Sequence, residues 1–172
     1  LLKSSHVLTV DEQQIAKPEL LLNSFDASVN NLSIVHYKYP LINGNGITVS
    51  LKEDKPDTTD SDIKGRYIPS AFTSINNSTH ATTMSTLLAG GGNSWYNNKG
   101  AAWGAGITSQ SFQNLLPEPQ SFYQQYNITV QNHSYGTLNE NFYGNEAAAY
   151  DALSSNTSNL LHIFSAGNSG TT

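Results

Sequence analysis

The chain has 172 residues, 37% of them hydrophobic and 13 of them glycine, which suits one folded domain with a real core and speaks against disorder. Charged residues make up only 12%, the formal net charge is -5, and 8 lysines and arginines form no basic patch, so no nucleic-acid partner is expected. Cysteine is absent, which removes disulfides and thiolate metal sites, and no apolar run has the length of a signal peptide or a membrane span.

Residues 1–43 carry no chemistry that the sequence identifies and are expected to form an N-terminal extension or linker. Within them, 18–23 can open a short helix, and Leu32–Tyr37 reads as a strand or extended arm in which His36 is a satisfied strand residue. The breakers Tyr39-Pro40 and Asn43-Gly44-Asn45-Gly46 place the start of the main domain at 44, running to 172.

Ile47-Thr48-Val49-Ser50-Leu51 is the first convincing strand, β-branched and bounded by glycine before and charge after. Alternation puts Val49, Leu51 and Glu53 on one face and Ser50, Lys52 and Asp54 on the other. A carboxylate just past a parallel strand lies where α/β proteins build their sites. The stretch 60–66 reads as polar and exposed. Ser78 or Thr79 can cap a helix over about 79–89, ended by Gly90, Gly91 and Gly92. That cap sets His80 in the first turn, where the helix dipole favours a neutral imidazole able to act as a base. Further strands are expected over 105–112, 127–134 and 160–165, the last of them buried, with helices over 117–126 and 145–156. Strands alternating with helices mean crossover connections, hence an α/β fold with a mainly parallel sheet and helices on both faces.

Five segments in order then carry a resemblance. Gly46–Glu53 is similar to a hydrophobic strand ending in a triad carboxylate, and His80-Ala81-Thr82 to a His-Gly-Thr helix start. Gly100–Ala105 resembles a Gly-Val-Ala-Pro turn, Asn132-His133-Ser134-Tyr135-Gly136 an Asn-x-Ser-x-Gly substrate strand, and Ser165–Gly170 the segment of an oxyanion-hole asparagine. Over residues 43 to 172 the chain resembles the N-terminal part of a subtilisin-like serine peptidase catalytic domain.

The resemblance implies that His80 is the base, Glu53 its orienter and Asn168 an oxyanion donor. It implies that Ser134, Tyr135 and Gly136, with Ser165, Ala166 and Gly167, bind an extended peptide or protein substrate. The family's carboxylate is aspartate, so Glu53 is a departure, and Asp54 in a shifted register is the alternative; Asp62 also falls at the family's spacing. Ala81 replaces the glycine that follows the family's histidine.

The family's nucleophile belongs to a Gly-Thr-Ser-Met-Ala segment, which these 172 residues do not contain. The chain is therefore expected to be truncated before its nucleophile, inert by itself, and completed by the remainder of its domain or by a larger envelope assembly. No cofactor is required by the chemistry; structural calcium is implied by the resemblance, with no ligand cluster to assign it. The abundance of Asn, Ser, Thr and Tyr suits a secreted or cell-envelope protein. The rival reading is a pseudopeptidase that keeps the cleft to hold a peptide or a partner protein.

Overall fold

A computed structural model describes residues 14–18, 26–95, 99–137 and 142–167. Four strands form its parallel sheet: β2 (Thr48–Lys52), β3 (Gly106–Gln110), β4 (Ile128–His133) and β6 (Leu161–Phe164), in the order β3-β2-β4-β6. A separate two-stranded ribbon joins β1 (Lys17–Pro18) antiparallel to β5 (Tyr135–Gly136). Because all pairings in the main sheet are parallel, the chain returns each time through a crossover: α2 (Thr79–Ala89) before β3, α3 (Gln120–Gln125) before β4 and α4 (Asn145–Asn156) before β6.

The two faces of the sheet are covered by different elements. On one face Val49, Leu51 and Ile107 pack with Ala89 of α2 and with Ile63 and Ala105. On the other, Phe122 and Tyr123 of α3 cover Ile128, and Tyr150 of α4 packs edge-on against His133, His162 and Phe164. Every residue of β2 is buried, as expected of a strand covered on both sides.

Three expectations are corrected. Leu32–Lys38 is a helix, α1, and not a strand; its N-terminal flank Asn31 turns left-handed at φ 57°, and no residue of the helix is buried. The segment pairs with no strand of the described sheet and satisfies its backbone locally, Val35 N donating to Asn31 O at 3.1 Å. His36 holds the helix down by donating from Nε2 to Ala101 O at 3.2 Å. The stretch 60–66 is not wholly exposed: Asp62 and Ile63 are buried, Ile63 within the core. The strand over 160–165, expected to be buried, is not: among the described residues β6 is the last strand on its side of the sheet, and Leu161 and Phe164 are 57% and 50% exposed. Of the expected helix over 18–23, Pro18 lies in β1 and the rest falls outside the described residues.

The junction at 43–44 is bound closely to the domain. Asn43 O accepts from Gly104 N at 2.7 Å, and Gly44 has a positive φ of 83°. Gly100 is required by close approach, since a Cβ there would lie 2.5 Å from Gly90 N and 2.6 Å from Thr86 O at the end of α2. Among the described residues no helix is long and apolar enough to cross a membrane.

Candidate active site

In a parallel sheet all strands deliver their carboxyl ends to one rim. Glu53 follows the last residue of β2, Ser134–Gly136 follow β4, and Ser165–Gly167 follow β6, so these three segments share that rim. His80 is the second residue of α2, whose N-cap Ser78 accepts from Ala81 N at 3.3 Å. The cap fixes the first turn and turns His80 towards the strand end. His80 Nδ1 lies 2.8 Å from Glu53 Oε2, and both side chains are buried. Ala81 is fully buried too, so its methyl group lies in the packed interior and not in an open cleft.

The two other carboxylates have different partners. Asp54 Oδ1 accepts from Ser74 Oγ at 2.7 Å. Asp62 accepts from the Asn93 amide and the Ser94 hydroxyl. Burial raises the Asp62 carboxyl, but hydrogen bonds from Ser94 and from the Asn93, Ser94 and Gly92 amides outweigh it and hold the group below its ordinary value. Among these three acids, the hydrogen bond to His80 is made by Glu53. Its main chain is fixed as well, since Glu53 N donates to Gln110 O at 2.7 Å.

Beyond β4 and β6 the rim opens into a cleft of about 550 Å³. Tyr135, Gly136, Ser165, Ala166 and Gly167 line it, with Leu115, Tyr150 and Glu146 on other sides. Ser165 ties the two segments together, its amide donating to His133 O at 3.0 Å and its hydroxyl to Tyr135 O at 3.3 Å. Ser134 stands beside the cleft and accepts from Asn132 Nδ2 at 2.6 Å. Burial pushes the Tyr135 phenol up to about 12, so it stays protonated as a donor near neutral pH. Asn168 lies outside the described residues, which reach Gly167 on this rim. Among the described residues no group of three or more His, Asp or Glu could hold a metal ion.

No sequence signal marks what lies on this edge. β1 runs antiparallel to β5, with Lys17 opposite Gly136 and Pro18 opposite Tyr135, and Gln14 lines the cleft. A segment expected to be a linker thus occupies the strand expected to bind substrate. A two-residue strand has no periodicity of its own, and only its partner defines it.

The model of the subtilase family matches residues 33–172, which includes all of α1 but Leu32 as well as the whole parallel sheet. No curated protein matches the chain.

Proposed function

Because the chain belongs to the subtilase family, whose function is of the serine-peptidase type, we propose that the complete protein is an endopeptidase working through a serine acyl-enzyme. The observation that carries this reading is the 2.8 Å contact between His80 Nδ1 and Glu53 Oε2 at the carboxyl rim of the sheet. A proton on Nδ1 donated to the carboxylate leaves Nε2 as the basic nitrogen of the neutral ring. In the proposed reaction a serine hydroxyl gives its proton to Nε2 while its oxygen bonds to the scissile carbonyl carbon. The proton then passes to the departing amine, and water repeats the sequence to release the acid. Glu53 holds the tautomer and stabilises the imidazolium, and the Asn168 side-chain amide donates to the oxyanion.

Glutamate is longer than the family's aspartate by one methylene, yet the hydrogen bond to His80 has ordinary length. The substrate in this reading is an extended peptide laid along Ser134–Gly136 in place of β1, which pairs with Tyr135 and Gly136 in this structure, with its side chains directed into the cleft beside Ser165–Gly167. We place the protein outside the cytoplasm, in keeping with its Asn- and Ser-rich composition.

A Gly-Thr-Ser-Met-Ala segment is not among these 172 residues, so the proposal concerns the complete protein, and this stretch alone is expected to be inert. A second reading, a binding module that holds a peptide without cutting it, draws on β1 lying along β5. The two are separated in the complete protein by measuring casein hydrolysis and labelling by a fluorophosphonate. Hydrolysis that falls by about 10³-fold or more in His80→Ala and Glu53→Gln supports the peptidase. Absence of both labelling and hydrolysis, with peptide binding retained, supports the binding module.

A further inference from the structure

Beneath the candidate site the sheet carries a polar layer that the proposed chemistry does not use. Lys52, the residue before Glu53, is fully buried and points away from His80 into this layer. Its ammonium pairs with Glu118 Oε1 and donates to Leu116 O at 2.9 Å. Glu118 Oε2 accepts from Gln131 Nε2 at 3.1 Å and from Tyr123 OH at 3.0 Å. Gln131 Nε2 lies 3.1 Å from Gln110 Oε1, and Gln110 O is the acceptor for the Glu53 amide. The contacts form a closed ring: Lys52, Glu118, Gln131, Gln110, Glu53, and back through the peptide bond to Lys52.

We infer that the buried Lys52–Glu118 pair is a positioning device for Glu53. This rests on the peptidase reading, in which Glu53 orients His80. An ion pair is a costly way to fill a core, because desolvating both charges offsets most of their attraction, and an apolar pair of the same volume serves stability as well or better. What an ion pair adds is direction, since a charged donor and its acceptors fit in few arrangements. The ring closes on the peptide that joins Lys52 to Glu53, so its geometry is transmitted to the strand end from which the Glu53 side chain leaves. Catalytic groups must be held to about 0.5 Å, and a strand end followed by a bend does not supply that restraint alone.

The test uses the complete protein and two variants. Lys52→Met/Glu118→Leu removes both charges together and so leaves no unpaired ion, while Gln131→Met opens the ring and keeps the pair. Labelled histidine spectra report the titration and Nδ1 proton signal of His80, identified by its loss in His80→Gln, and peptide hydrolysis reports kcat and KM. The expected result is cooperative unfolding near the parent temperature, a displaced His80 titration and Nδ1 signal, and kcat lowered by about tenfold or more with KM little changed. If the double variant fails to fold, Gln131→Met decides, with a smaller change in the same direction. An unchanged His80 titration and kcat in a folded variant overturns the inference. If the parent hydrolyses nothing, the peptidase reading falls, and the His80 spectra still show whether the ring positions its partner.

Discussion

The two faces of the sheet are built on opposite principles. On the α2 face Val49, Leu51, Ile63 and Ile107 fill space with groups that have no preferred direction. On the α3 face Ser50, Lys52, Gln110, Gln131, Glu118 and Tyr123 fill the same depth with groups that each demand a partner. The first stabilises by burial without direction, and the second, beside its own apolar cluster of Phe122, Ile128 and Leu160, specifies register. Adjacent residues of one strand serve both: Leu51 joins the apolar face, Lys52 the polar one, and Glu53 leaves the strand for the site.

The sharpest way to break this contrast is to remove one partner of the ion pair. Lys52→Ala leaves Glu118 charged and buried beside a cavity, and a loss of roughly 3–5 kcal/mol is expected. Denaturant unfolding measures it, and a loss below that of Leu51→Ala would mean that the polar face is more forgiving than its geometry indicates. Leu51→Ala is expected to cost about 3 kcal/mol, transfer and cavity together.

A third measurement exploits the titration of the polar face. Burial, the neighbouring His162 and Lys52 push His133 down to about 2, so it is neutral in the folded protein. Unfolded, it takes up a proton as pH falls below about 6.5. The unfolded state then binds more protons than the folded one, and stability is lost as pH falls from 6.5, by roughly 1.4 kcal/mol per unit. Urea unfolding at pH 7 and pH 5 should show the drop, and His133→Phe should reduce it, the remainder coming from His162, which burial also holds below its ordinary value; an equal drop in that variant would assign the effect elsewhere. The smallest expected effect is local. Ser78→Ala removes the α2 cap and should cost about 1 kcal/mol by thermal unfolding, with no change at the ion pair.

These contrasts also explain what could be read in advance. The alternation in Val49-Ser50-Leu51-Lys52 announces two faces, and Ala-rich 145–156 announces a helix whose observed bounds match. The order of segments was enough for Glu53 and His80 to be paired. Glu118 was silent, because nothing local marks an acid in Leu116-Pro117-Glu118 as the partner of a lysine on a distant strand. α1 was misread because Ile34 and Val35 favour strands only where a sheet offers an edge. The apolar run of β6 reads as a buried strand, while a chain lacking the covering segment is expected to expose Leu161 and Phe164; among the described residues β6 is the last strand on its side of the sheet, and Leu161, Ile163 and Phe164 are largely uncovered.

The strand that leads into Glu53 lies inside the sheet, between β3 and β4, with Val49 opposite Ile107 on one side and Val130 on the other. Each of those pairings closes a long loop before it returns any contact energy, so the topology has high contact order and predicts slow folding. The Glu53 amide finds its acceptor only when β3 arrives, and the Lys52 ammonium only when the segment after β3 folds over it. The rim is therefore expected to be completed late, leaving the newly made chain a period in which its own backbone is not yet exposed to a working peptidase. Pulsed hydrogen exchange during refolding would test this order: Glu53 amide protection preceding that of β3 would contradict it.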